Sequence, residues 1–306
     1  MIVIVCPGQG SQTPGFLSPW LEHDVYRHQL EGISQSIGVD LVAHGTTSDA
    51  DTIRDTAIAQ PLIVAAGLLT LSTLLADGRR NRIGGVAGHS VGEVTAAVAS
   101  GILTSIDAMT LVNARAQAMA DAAALTPTGM SAVVGADESE LLSRLAELGL
   151  EPANFNGGGQ IVVAGDLDAL EKLKAAPPAG ARVIPLQVAG AFHTRHMATA
   201  VDRLRRVASG MAPTDPQVPL WSNHAGELVS SGTTFLDLIV GQVSSPVRWD
   251  QTMAAMQQAG VTGIVEVAPA GALVGLAKRV VKGVPSVAVK TPDDLAAAID
   301  LIDGNS

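Results

Sequence analysis

A chain of 306 residues, 47% hydrophobic with a mean hydropathy of +0.32, has enough apolar surface to bury a large core, which excludes extended disorder. Its formal charge of −10 excludes general nucleic-acid binding, because phosphate contacts need a basic surface or stripe. The single Cys6 excludes an intramolecular disulfide and a thiolate metal site, and it fits a reducing compartment.

Few aromatics and 32 glycines suit helices packed closely on a sheet, so an α/β fold is expected. The first element is the apolar run IVIVC at 2–6, a buried strand. It is too short, and too soon followed by Pro7 and Gly8, to be a signal peptide. PGQGSQ at 7–12 offers unencumbered backbone amides near Gln9 and Gly10. As a dinucleotide loop it fails at Thr13, where a third glycine or alanine would stand, so an amide donor beside a reactive group is the better use. A helix is expected after Gln60. Residues 61–76 are the most hydrophobic stretch but fall short of a membrane span, which predicts a core helix in a soluble, cytoplasmic protein without a membrane partner.

GHSVG at 88–92 matches G-x-S-x-G between a short apolar strand (84–87) and a helix-compatible run (91–100), the context the motif requires. Flanking glycines permit the tight turn that would present the Ser90 hydroxyl, and the first helix amides point at the same spot. In the next helix, 106–124, Arg115 emerges from an apolar stripe with Leu111 and Met119 one turn away. No acidic residue shares that stripe, so its partner is a distant carboxylate or a substrate carboxylate; the alternative is a structural ion pair or a snorkelling side chain.

Residues 130–188 read strand, helix, strand, strand, helix, strand. MSAVVG is followed by a helix that places Leu141, Leu142, Leu145 and Leu148 on one face, started by Asp137 and Glu140 and ended by Gly149. EPANFN and QIVVAG flank a three-glycine hairpin, and a second helix leads to ARVIPLQV. This order predicts a ferredoxin-like small subdomain at 126–192. It would be inserted into a large hydrolase-like domain with a mostly parallel sheet, formed by 1–125 and 193–306.

Of the seven histidines, His23, His28 and His44 sit in polar stretches, and the side chain of His89 should diverge from that of Ser90 at a sharp turn. His193 lies where the chain returns to the large domain and can overhang the cleft, with His196 as its competitor; spacing favours His193 as the general base. A serine hydrolase is one rival, although such enzymes carry a late histidine and nothing histidine-like follows His224. A non-catalytic scaffold is the other.

GQGSQ at 8–12, GHSVGE at 88–93, Arg115, GAFHT at 190–194 and QVSSPVRW at 242–249 together resemble the malonyl-CoA:acyl-carrier-protein transacylases of fatty-acid synthesis. The resemblance implies an acyltransferase that moves malonyl from malonyl-CoA to the phosphopantetheine thiol of acyl carrier protein through a malonyl-serine, and with no carrier or ketosynthase segment in the sequence a free-standing enzyme is expected. It makes Ser90 the nucleophile and His193 its base, with the amides of Gln9 and Val91 as oxyanion donors. Arg115 becomes the clamp on the malonyl carboxylate, and the backbone carbonyl of Gln242 orients His193, so a dyad replaces a triad. Asn154 would line the cleft. Phe192 is of the malonyl-preferring type, and Gly190 and Ala191 before it depart from many relatives. No metal or cofactor is implied, and a monomer is expected. An acidic carrier would have to meet one of three basic clusters: Arg79, Arg80 and Arg82; Arg203, Arg205 and Arg206; or Lys278, Arg279 and Lys282.

Overall fold

Both faces of the first strand are apolar, and the fold buries both. In the computed structural model, which describes residues 1–305, β1 (Ile2–Cys6) sends Ile4 and Cys6 into one core and Val3 and Val5 into a second. Helices α1 (Asp24–Ile37), α2 (Leu41–Thr46) and α3 (Thr56–Leu74) lead to β2 (Ile83–Gly88), α4 (Gly92–Ser100) and α5 (Ser105–Ala123). The hydrophobic helix starts earlier than expected, because Asp55 caps it by accepting from the Ala57 N–H and Pro61 is carried inside it. At 19 residues it is long and apolar enough to cross a membrane, so the length argument fails. Packing decides instead: the helix is buried on nearly every side, chiefly against α5.

The chain then forms β3 (Thr128–Val134), α6 (Glu138–Leu148), β4 (Glu151–Gly157), β5 (Gln160–Asp166), α7 (Leu167–Ala175) and β6 (Arg182–Leu186). Their antiparallel sheet has the order β4-β5-β3-β6, the ferredoxin-like arrangement. Leu141 and Leu145 of α6 and Leu170 and Leu173 of α7 pack under one face of it. Asp137 caps α6 through the Glu140 N–H, and Gly149 ends it at φ 70°.

The return segment supplies α8 (Ala198–Ala208), β7 (Leu220–Trp221), α9 (Gly232–Gln242), α10 (Trp249–Gln258), β8 (Gly263–Glu266), α11 (Ala272–Val280), β9 (Ser286–Ala288) and α12 (Leu295–Asp303). The large sheet runs β7-β2-β1-β8-β9, every pair parallel. β7 and β9 were not anticipated, because strands of two and three residues carry no readable period. Parallel pairing puts the loops after β1 and β2 at one edge of the sheet, where ligands of open α/β folds bind.

The PVRW element joins the two units. Val247 forms a parallel bridge with Asn154 of β4, and the Arg248 guanidinium lies 4.4 Å from the Phe155 ring centre. The Trp249 ring meets that of His89 edge-on at 5.7 Å. One short segment therefore ties the small sheet to the turn that carries Ser90.

Candidate active site

Ser90 sits at φ 53°, a left-handed conformation costly for a residue with a Cβ. Close packing of the turn holds it there. A Cβ on Gly88 would fall 2.1 Å from the backbone carbon of Gly92, and one on Gly92 would fall 2.1 Å from the Cys6 carbonyl oxygen. The two glycines of G-x-S-x-G thus let strand and helix approach within backbone contact. Asn223, at the carboxyl end of β7, braces the turn: its Oδ1 accepts from the Ser90 N–H at 2.6 Å and its Nδ2 donates to the Gly88 carbonyl at 2.6 Å.

His193 Nε2 lies 2.7 Å from Ser90 Oγ, and its Nδ1 lies 2.8 Å from the Gln242 carbonyl oxygen. A carbonyl only accepts, so Nδ1 carries the proton and Nε2 faces Ser90 as a free base. His193 is also left-handed, at φ 63°. The preceding Gly190 has a steric reason, since a Cβ there would come 2.7 Å from the Ala123 Cβ at the end of α5. His196 is turned away, with its ring Nε2 buried and unpartnered. His89 also diverges from Ser90, its Nε2 lying 2.9 Å from Asn156 Oδ1.

Arg115 is fully buried. Its Nη1 donates to Gln60 Oε1 at 2.6 Å, and its Nη2 donates to Gln242 Oε1 at 2.8 Å and Ser90 Oγ at 3.2 Å, while Nε has no partner. The amide oxygens satisfy hydrogen bonds without cancelling the charge. Among the described residues no carboxylate lies within ion-pair distance of this guanidinium; the nearest influence is Glu93, one amide away across Gln242. Of the partners left open by the sequence, the fold therefore supplies a distant carboxylate, and only indirectly. Burial lowers Arg115 to about 10 despite Glu93.

These groups line one cavity of about 260 Å³ between the sheets. Gln9, Val91, Arg115, Asn154, Phe192 and His193 all reach it, so the expected residues are brought together. The Gln9 and Val91 backbone N–H groups make no intramolecular hydrogen bond among the described residues and remain available to a ligand oxygen. Gln242 does more than its carbonyl suggested, since its side chain links Arg115 to Glu93. Four contributors were missed: Gln60, Glu93, Asn156 and Asn223. Glu93 was findable by the reasoning used for Arg115, as a charge on a helix (GEVTAAVAS) that is otherwise apolar or small. Asn223 follows a strand too short to read.

Burial, reinforced by the nearby Arg115 charge, lowers His193 from 6.5 to about 3. Neutral imidazole is the reactive form, so depression extends its working range towards acid. Sulfonylation of Ser90 by phenylmethanesulfonyl fluoride, which brings no carboxylate of its own, is therefore expected to hold its rate from neutral pH down to about 5. In Arg115→Met the acid limb should move up, because one of the charges opposing protonation is gone. A limb at the ordinary 6.5 in the unaltered protein would contradict this reading.

Residues 3–292 match the acyl transferase domain family. A malonyl CoA-acyl carrier protein transacylase from Mycobacterium tuberculosis is 50% identical over 299 residues, covering 96% of this chain and 98% of that protein. The crystal structure of MCAT from the same organism superimposes with a TM-score of 0.94 at 49% identity, covering 98% and 99% of the two chains. A type II PKS acyl-carrier protein in complex with its malonyl-transacylase provides a further match, with a TM-score of 0.92 at 30% identity, covering 98% of this chain and 99% of that one.

Proposed function

The chain belongs to the acyl transferase domain family, and from that membership and its site we infer that it moves a malonyl group from malonyl-CoA to the phosphopantetheine thiol of acyl carrier protein. The observation that carries the reading is a serine hydroxyl hydrogen-bonded to its base and 3.2 Å from a buried arginine that no carboxylate touches directly. The serine attacks the thioester while the arginine holds the free carboxylate.

Ser90 Oγ gives its proton to His193 Nε2 and bonds to the thioester carbon, whose oxygen becomes anionic facing the Gln9 and Val91 amides. The carbon–sulfur bond breaks, and the thiolate of CoA takes the proton from His193. In the second half, His193 accepts the proton of the pantetheine thiol, sulfur bonds to the malonyl carbon, and Ser90 leaves with its proton restored. The bound carboxylate also assists the base: it offsets the Arg115 charge that opposes protonation of His193, and so raises its basicity when needed. Acetyl has no such group. Asn154 and Phe192 also line the cavity.

Profiling purified protein against a panel of acyl-CoAs, with and without carrier, is the direct test. Malonyl-CoA should lead the panel, with transfer to the carrier exceeding release to water; hydrolysis that outruns transfer would sink the reading. Of the three basic clusters, the first two are engaged internally through Arg79 and Arg82 with Asp303, Arg203 with Asp121, and Arg205 with Asp202. Lys278, Arg279 and Lys282 form no ion pair among the described residues, and Arg279 lies over Gly158 at the join of the two units. This cluster is the carrier dock favoured here. Reversing Lys278 and Arg279 to glutamate should raise KM for the carrier about tenfold or more, with the malonyl-CoA half-reaction unaltered; equal loss in both halves would count against it.

The acidic balance supports a protein that binds neither nucleic acid nor membrane. Most of its larger exposed apolar side chains, among them Val25, Ile106, Leu125 and Leu228, lie on separate segments, while Ile184 and Leu186 share β6; patches this small support a monomer. The buried free Cys6 thiol fits the cytoplasm and stays inert, pushed well above its ordinary range by burial.

A further inference from the structure

Glu93 stands one helical turn beyond Ser90, is 1% exposed, and never touches the cavity that the reaction uses. Its two oxygens are both engaged behind the site. Oε1 accepts from the Asn223 N–H at 2.6 Å, and Oε2 accepts from the Gln242 Nε2 at 2.5 Å. Gln242 in turn presents Oε1 to Arg115 Nη2 at 2.8 Å. An amide has one accepting and one donating end, and which end faces a neighbour is decided by whatever stands on the other side. Here a carboxylate takes the donating end, so the accepting end meets the guanidinium.

We propose that Glu93 is a positioning residue for the acyl-carboxylate clamp, acting through Gln242 to fix both the orientation of Arg115 and the partial compensation of its charge. The proposal rests on the transacylase reading and deepens it. A fully buried guanidinium with only neutral amides around it would be costly; a carboxylate in direct contact would cancel the charge that the substrate needs. One amide of separation lies between these extremes. It keeps Arg115 charged and aimed while leaving its charge for the incoming acyl carboxylate. Burial pushes the Glu93 carboxyl up to about 7. Its hydrogen-bonding neighbours are nonetheless donors: the Asn223 N–H, the Gln242 amide and the Ser222 side chain, an environment made for the anion.

Glu93→Gln preserves shape and removes the anion. The new carboxamide can accept from only one of its two former donors, so Gln242 loses its anionic anchor and the Ser90 carbonyl, at 3.3 Å, is left to hold its accepting end towards Arg115. The measurement is the ratio of kcat/KM for malonyl-CoA to that for acetyl-CoA in Glu93→Gln, Gln242→Met and the double variant. The ratio should fall about tenfold in Glu93→Gln, with the loss for malonyl-CoA appearing in KM more than in kcat. Gln242→Met should lower it likewise, and the double variant should be no worse than Gln242→Met alone, because both act along one path. A merely structural role would slow both substrates alike and leave the ratio standing. An unchanged ratio in Glu93→Gln, or losses that multiply in the double variant, would overturn the proposal. Should Glu93→Gln fail to fold, an unchanged ratio in Gln242→Met overturns it equally. A wild type without malonyl preference would instead strike the functional reading.

Discussion

Ser90→Ala is expected to lower carrier acylation by at least about 10³-fold and to leave no acyl adduct on the protein after brief exposure to malonyl-CoA. The unaltered chain should carry a malonyl group that maps to Ser90 in intact-mass and peptide analysis. The size of the effect follows from the geometry. Removing Oγ removes the hydroxyl that, among the described residues, His193 Nε2 meets, and water in its place is neither aligned by the turn nor held at 2.7 Å from the base. His193→Ala should fall about 10²- to 10⁴-fold, with the serine present but no longer deprotonated. The two losses should not multiply, because either deletion disables the same step. Labelling at another residue, or persistent turnover in Ser90→Ala, would refute the nucleophile. A hydrolase triad would place a carboxylate on His193 Nδ1, whereas Nδ1 here meets the Gln242 carbonyl at 2.8 Å. The carbonyl fixes tautomer and direction without an acidic third member.

Arg115→Met should reduce kcat/KM for malonyl-CoA by roughly 10²- to 10³-fold, corresponding to about 3–4 kcal/mol for an ion pair formed in a dry site. Acetyl-CoA, which brings no carboxylate, should be affected far less or gain, so the preference between them collapses. Methionine is chosen because it fills the apolar stripe around Leu111 and Met119 without introducing a second buried polar group. The reasoning is one of differential desolvation. In the resting site Arg115 is surrounded by the oxygens of Gln60, Gln242 and Ser90, none of them charged. A malonyl carboxylate provides the missing anion, and acetyl leaves it missing. Unaltered discrimination in Arg115→Met, measured by competition between the two thioesters, would remove Arg115 from the role of clamp.

Ser90 and Arg115 were legible for different reasons. The serine announced itself through backbone geometry, as two glycines around one polar residue at a strand-to-helix junction, a pattern that follows from steric limits on close approach. The arginine was legible as a conflict: a charge on an apolar helix face demands compensation. His193 was narrowed to a pair by position, with spacing in its favour, and three-dimensional structure separated it from His196, since one ring meets Ser90 and the other is half-buried with an unpartnered Nε2. The small antiparallel sheet was readable because short apolar strands and leucine-periodic helices follow one another between glycine and proline turn signals. β7 and β9 were not, since a strand of two or three residues is specified by its neighbours in the sheet rather than by its own pattern.

By itself the sequence determined the α/β class, the small inserted sheet, the tight turn that presents Ser90 and the placing of a cation, Arg115, on an apolar helix face, all of them consequences of local sterics or short-range periodicity. Only the tertiary structure decided what compensates that cation. Glu93, Gln242 and Asn223 are separated by 149, 19 and 130 positions, pair by pair, and no local rule relates them. They meet because a parallel sheet gathers the ends of β2 and β7 at one edge and α9 ends beside them. A buried polar network is a property of that convergence, since each member is satisfied only by partners the fold delivers from elsewhere in the chain.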